Sequence, residues 1–217
     1  MTIKKMKKFS KRTCKEFNIW RALFQRLVCN WTFGLYVRIM YRLEVIGSKN
    51  ITKNKNFIVA GNHLSAKDPF IMIQALRTPV AYMAKEELFE KFFSRILMDW
   101  CGAFAVNREK LDVSTIKTAL SIKNTKWKLG LFPQGTRVMD GKIGNVSKGF
   151  ASLAKATKTD ILPVAIIGAD KNVKIPFTGK IVVKIGELIP YSDNIDEMVE
   201  KWCKAISELT GFEYAPA

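Results

Sequence analysis

The sequence predicts a single α/β domain with a mostly parallel sheet flanked by helices, preceded by a basic, aromatic-rich helical segment that docks on a membrane. Three observations predict it. From residue 43 onward, short apolar runs alternate with helix-patterned stretches, as strand–helix units do. Residues 57–61 are apolar throughout, as a strand buried on both faces of a parallel sheet must be. Residues 1–42 break this pattern, carrying Lys and Arg interleaved with Trp, Phe and Tyr. The expected division is therefore a membrane-association segment over 1–42 and an α/β domain over 43–217.

Each element has its own signal. Strands are expected at 43–46, 57–61, 80–84, 103–106, 129–132, 161–168 and 181–185. A helix over 69–77 has Asp68 as N-cap and Pro69 at its first position. A helix over 86–100 repeats Leu88, Phe92, Ile96 and Trp100 every fourth residue, and one over 113–124 opens after Asp112. Residues 148–157 read as a further helix. In the last, Ile195, Met198, Val199, Trp202, Ile206 and Leu209 make one apolar stripe.

Bulk properties narrow the function. The 217 residues are 48% hydrophobic, enough for a sizeable core and too apolar for wholesale disorder. The formal net charge of +17 is unevenly spread, since residues 1–50 hold twelve Lys and Arg against Glu16 and Glu44. Such a surface attracts polyanions, either nucleic acid or an anionic membrane. No recognisable nucleic-acid motif is present, so nucleic acid is not the expected partner. The four cysteines (14, 29, 101 and 203) form no C-x-x-C pair, and with one histidine no zinc pattern can be assembled. They are expected to be buried reduced thiols in a cytosolic setting. No leader with a small-residue cleavage site is evident, and no run approaches the roughly 20 apolar residues of a bilayer span. Trp20, Phe24, Trp31, Phe33, Tyr36 and Tyr41, interrupted by Arg21, Arg26, Arg38 and Arg42, suit the headgroup boundary.

Chemistry gathers at three expected strand ends. His63, the sole histidine, follows the strand 57–61, at the carboxyl end where sites in open α/β sheets lie. Neutral imidazole accepts a hydroxyl proton near neutral pH, and Asp68, five residues on, would orient the ring and stabilise its cation. Equally, the pair could be a loop residue and a helix cap. Phe132-Pro133-Gln134-Gly135-Thr136-Arg137 follows the strand 129–132. Gly135 allows close backbone approach, and Thr136 and Arg137 offer donors to a phosphate. Gly130 and Gly135 have P-loop spacing, but Thr136 stands where the lysine belongs. Gly102-Ala103-Phe104-Ala105-Val106-Asn107-Arg108 is the third strand end. No G-x-S-x-G nucleophile elbow exists, so a base beside a phosphate-binding loop points to direct attack by a substrate hydroxyl on an activated acyl donor.

These blocks, in this order, resemble the lysophosphatidic acid acyltransferase family (1-acylglycerol-3-phosphate acyltransferases), within the wider glycerolipid acyltransferases. Asn62, His63 and Asp68 resemble the family's H-x4-D block. Gly102, Phe104, Val106 and Arg108 resemble its second block, and Phe132, Pro133, Gly135, Thr136 and Arg137 its F-P-E-G-T-R block. Leu162-Pro163-Val164 resembles its fourth, and Lys85-Glu86-Glu87-Leu88 and Lys148-Gly149 resemble positions between blocks. The resemblance spans about residues 43–190. Gln134 departs from it, standing where the family carries Glu. Gln hydrogen-bonds but carries no charge and cannot act as a base.

The resemblance implies an acyl transfer with His63 as base and Asp68 as its partner. Acyl-CoA or acyl-carrier protein would donate, and the sn-2 hydroxyl of 1-acylglycerol 3-phosphate would accept, giving phosphatidic acid. It implies that Arg108, Gly135, Thr136 and Arg137 hold the acceptor phosphate, with Gln134 and Lys148 as further candidates for acceptor contact. No metal or cofactor is expected. The expected partners are anionic lipids, lysophosphatidic acid and the acyl donor, at the cytoplasmic face of the cell membrane, with oligomeric state open. Two alternatives stand: a sister acyltransferase for glycerol 3-phosphate or another lysophospholipid, and a non-catalytic protein binding anionic lipid or nucleic acid.

Overall fold

The computed structural model describes residues 9–52, 55–106, 113–138, 140–143 and 146–214. Three helical stretches run on without interruption: α1 (Ile19–Val28), a π-helical turn (Cys29–Phe33) and α2 (Gly34–Met40). Asn18 caps α1, its side chain accepting from the Arg21 N–H. Large apolar residues Ile19, Leu23, Leu27, Trp31, Leu35 and Ile39 are all exposed, every fourth position along this helix. The opposite stripe packs on the body. Gln25, Cys29, Val37 and Tyr41 are buried, and Phe33 stacks on Phe70 at 3.8 Å between centroids.

Next come β1 (Tyr41–Ile46), β2 (Phe57–Gly61), α3 (Asp68–Leu76), β3 (Val80–Lys85), α4 (Phe92–Trp100), β4 (Phe104–Val106), α5 (Val113–Lys123) and β5 (Lys128–Leu131). The chain closes with β6 (Lys142–Ile143), α6 (Gly149–Thr157), β7 (Asp160–Ile167), β8 (Gly179–Ile185), α7 (Ile195–Thr210) and β9 (Glu213–Tyr214). Seven strands form one sheet in the order β1-β8-β7-β2-β5-β3-β4, and β6 pairs separately with β9. From β7 to β4 every pairing is parallel. Only β7–β8 is antiparallel, which turns β8 and its parallel neighbour β1 the other way.

Both faces of the sheet are covered, because successive residues of a strand point to opposite sides. Ile58 and Ala60 join one core with Ala119, Ile122, Phe150, Leu153, Trp202 and Ile206 of α5, α6 and α7. Phe57 and Val59 join the other, with Ile71, Met72 and Leu76 of α3 and Cys29 and Val37 of the long helix. Pro163 sits inside β7 just before the antiparallel register that starts at Val164, and its carbonyl accepts from the Gly186 N–H (2.9 Å).

Four expectations need correction. The helix expected over 86–100 is split into a 3₁₀ turn (Glu86–Phe89) and α4, with Lys91 extended between them. Its stripe does not enter the core, since Leu88, Phe92, Ile96 and Trp100 are all exposed. Asp68 is also not the cap of α3. It is the first helical residue, and its carboxylate turns back into the preceding loop. Among the expected headgroup aromatics, Tyr41 is buried and Phe24 and Phe33 pack on other rings, whereas Trp20, Trp31 and Tyr36 are exposed. Cys29 and Cys203 are buried and all four thiols are free, but Cys14 is exposed.

Candidate active site

β2 ends at Gly61, and the chain leaves the sheet through Asn62. The Asn62 side chain is buried and grips the next strand from both ends: its amide donates to the Ile166 carbonyl (2.9 Å) and its oxygen accepts from the Ile166 N–H (2.7 Å). The turn carrying His63 is thereby fixed to β7. Asn62→Ala would leave two buried backbone groups unmet, so a loss of about 2–3 kcal/mol is expected. A thermal melt should show this as a fall of several degrees. An unchanged melt would mean the clamp contributes nothing.

His63 Nδ1 lies 2.8 Å from Asp68 Oδ2. The same oxygen accepts the N–H groups of Leu64 (2.6 Å) and Ser65 (2.8 Å). The five-residue spacing produces this geometry because the loop folds over the first residue of α3, and three donors converge on one carboxylate oxygen. Asp68 is fully buried and the His63 side chain is 16% exposed. With Nδ1 bonded to Asp68, Nε2 is the nitrogen available for proton transfer.

The Phe132–Arg137 loop is brought alongside by the pairing of β2 with β5, in which Ala60 faces Leu131. One residue beyond, the Phe132 ring stacks on the imidazole (4.2 Å, 17°), and Tyr82 stacks on Phe132 from behind (5.7 Å, 6°). Two hydrogen bonds lock the loops together: His63 N–H to Gln134 Oε1 (3.3 Å) and Val138 N–H to the His63 carbonyl (2.9 Å). Gln134 is 9% exposed and faces the His63 backbone. Gly135 has φ +70°, and a Cβ built there would meet nothing within 4 Å. The Gly135 N–H closes the turn onto the Phe132 carbonyl (2.9 Å), and the free space above it, with exposed Thr136 and Arg137 beyond, leaves room for an approaching anion. Arg137 has no ion-pair partner among the described residues.

Other candidates are placed differently. Lys148 is engaged by Asp196 at 2.7 Å. Arg108 and Asp112 lie outside the described residues. Gly102, in the second block, answers to packing: its φ is +76° and a Cβ would fall 2.3 Å from the Trp127 ring. Lys67 went unnoticed in the sequence, although it lies between His63 and Asp68. Its ammonium donates to the Tyr41 hydroxyl at 2.9 Å. Burial, the largest single influence, would raise that phenol, but the Lys67 bond and charge together with hydrogen bonds from the Val173 backbone and Tyr36 bring Tyr41 below its usual value. No thiol competes as nucleophile here. Burial pushes Cys29 up to about 12 and Cys101 to about 11, so both stay protonated. Among the described residues no cluster of His, Cys, Asp and Glu could hold a metal ion, and no helix is long and apolar enough to cross a membrane.

The acyltransferase family model matches residues 42–167, more than half of the chain and every block around His63. The chain belongs to the acyltransferase family. It is 35% identical over 127 residues to the 1-acyl-sn-glycerol-3-phosphate acyltransferase of Borreliella burgdorferi, covering 58% of this chain and 51% of that protein. The enzyme of the same name from Bacillus subtilis is 27% identical over 176 residues, covering 77% of this chain and 87% of that one. The chain thus spans about half the length of the first relative and most of the second. The fold is that of the 1-acyl-sn-glycerophosphate acyltransferase PlsC from Thermotoga maritima, with a TM-score of 0.60 at 24% identity over 95% of this chain and 79% of that one.

Proposed function

We propose that this acyltransferase-family chain moves a fatty acyl group from the thioester of acyl-CoA or acyl-carrier protein to the sn-2 hydroxyl of 1-acylglycerol 3-phosphate, producing phosphatidic acid. The observation that carries this reading is the buried Asp68 carboxylate bonded to His63 Nδ1, with the exposed Thr136–Arg137 side of the adjoining loop beside it. His63 Nε2 takes the hydroxyl proton, and the alkoxide attacks the thioester carbonyl. The tetrahedral intermediate then collapses, and the departing thiolate takes the proton back from the imidazolium. Asp68 stabilises that cation between the two proton transfers. Arg137, Arg108 and the Gly135–Thr136 backbone hold the acceptor phosphate, which supplies positioning and not bond-making. No cofactor enters these steps.

The similarity to two 1-acyl-sn-glycerol-3-phosphate acyltransferases supports the acceptor assignment. Gln134 does not argue against it, because the bond it accepts from the His63 N–H is one that a glutamate oxygen would accept equally. The protein would work at the cytoplasmic face of the membrane as a peripheral enzyme, held there by the outward side of its N-terminal helix. The test is acyl transfer from labelled palmitoyl-CoA and from palmitoyl-carrier protein to 1-acylglycerol 3-phosphate. Phosphatidic acid with either donor is expected. Product only with glycerol 3-phosphate or another lysophospholipid would move the assignment to a sister activity. No product with any acceptor would leave a lipid-binding protein.

A further inference from the structure

Helix α4 is amphipathic but turned outward. Phe92 is 59% exposed, Phe93 84%, Ile96 41% and Trp100 46%, with Leu88 of the preceding turn at 46%. An apolar stripe normally points to the core, and an exposed one of this size marks a contact surface. Its inward side is anchored. Asp99 accepts from Arg12 and from Arg21, and Trp100 packs on Phe24 of α1 at 5.5 Å. The α4 stripe is therefore flush against the helix whose own exposed row runs from Ile19 to Ile39.

At the other end of that row stands a second outward feature. Ile175 is 66% exposed and Phe177 76%, and the Phe177 N–H donates to the Ile39 carbonyl at 2.7 Å. Phe177 holds φ at +64°, a left-handed conformation that costs a bulky residue on the order of 1–3 kcal/mol. This tip follows β7 at its carboxyl end, the end of the sheet where His63 lies.

We infer that α4 and the 175–177 tip are two further membrane contacts, which together with the outward row of the long helix seat the protein on an anionic phospholipid bilayer at three points. The occupant is a bilayer for two reasons. The long helix and α4 carry Trp20, Trp31 and Trp100, the amphipathic aromatics of a membrane interface, and the tip adds the apolar ring of Phe177. The cations around them (Arg26, Arg38, Lys171 and Lys174) are exposed, and none forms an ion pair among the described residues. Glu86, Glu87 and Glu90 outnumber Lys85 and Lys91 ahead of α4, so this stretch offers no net attraction to anionic headgroups. The contribution of α4 is accordingly apolar insertion, and the long helix and the 171–174 stretch supply attraction to anionic headgroups. Seating on all three brings the sheet end with His63 close to the headgroup plane.

This rests on the lipid-acyltransferase reading but fails separately from it. The test is sedimentation of the full chain with phosphatidylcholine vesicles containing phosphatidylglycerol, at low and high salt. Phe92→Ser with Phe93→Ser, and separately Phe177→Gly, should each cut the salt-resistant binding by more than about tenfold, as Trp20→Ser with Trp31→Ser should. Leu120→Ser, an exposed apolar residue on α5 away from this surface, should change nothing. All these positions are exposed, so the fold is kept, and acyl transfer in detergent should match the parent chain. Wild-type vesicle binding by the Phe92/Phe93 variant would overturn the inference. So would a dimer that these substitutions dissociate, which would make a second copy the occupant. Vesicle binding that depends on α4, in a chain that forms no phosphatidic acid, would sink the proposed activity and leave this surface standing.

Discussion

His63→Ala is expected to lower the turnover number for acyl transfer by more than about a hundredfold, with little effect on the Michaelis constant for the acceptor. The reasoning is geometric. His63 is the only histidine, its Nδ1 is occupied by Asp68, and its ring is held on one side by Phe132. Gln134, which meets the His63 backbone, cannot take a proton in its place. The substitution should not unfold the chain. The backbone of residue 63 keeps both its bonds, to Gln134 and Val138, whatever the side chain is. Steady-state kinetics on labelled donor would decide it. Activity within a few fold of the parent would remove His63 from the chemistry and require another base.

Asp68→Asn is the second large effect and a finer one. Leu64, Ser65 and His63 all meet a single oxygen of Asp68, while the other oxygen has no hydrogen-bond partner. Asparagine can place its carbonyl oxygen where Oδ2 stands and keep all three bonds. The change then removes charge and little else. Because the carboxylate stabilises the imidazolium formed during transfer, turnover should fall by about 10²–10⁴ while the melting temperature stays near that of the parent. Asp68→Ala, in contrast, should lower both, since two backbone N–H groups lose their acceptor. A D68N chain with unimpaired turnover would show that Asp68 shapes the loop and has no electrostatic part in catalysis.

Much of the architecture was legible because periodicity and burial agree. Residues 57–61 are apolar throughout and form β2, buried on both faces. Met198, Trp202 and Ile206 of the last helix recur on one side and are buried. The misreading of residues 86–100 has a physical source. Periodicity reveals that a helix has two unlike sides, but not whether the apolar one faces protein or an external phase. The interruption at Lys91 has no Gly or Pro to signal it.

At the site, sequence spacing allowed the pairing of His63 with Asp68 and the family resemblance implied it, and the two are at hydrogen-bond distance. The stacking of Phe132 on the imidazole and the bond from the His63 backbone to Gln134 did not follow. Both arise from the register of β2 on β5, a relation between segments about seventy residues apart. Lys67 and Tyr41 likewise meet only because β1 runs against β2, which carries its first residue to the end where β2 finishes.

The π-helical turn at Cys29–Phe33 has a consequence for timing along the long helix. Positions four apart in a regular α-helix advance by about 40° beyond a full turn, so five such steps from Ile19 to Ile39 would wind through about 200° and end on the opposite side. A π turn holds more residues per revolution and takes back part of that drift. It thus works as a phase corrector for two rows at once. Ile19, Leu23, Leu27, Trp31, Leu35 and Ile39 stay outward while Gln25, Cys29 and Val37 stay inward, and one helix can keep the same orientation to the sheet and to its surroundings over its whole length.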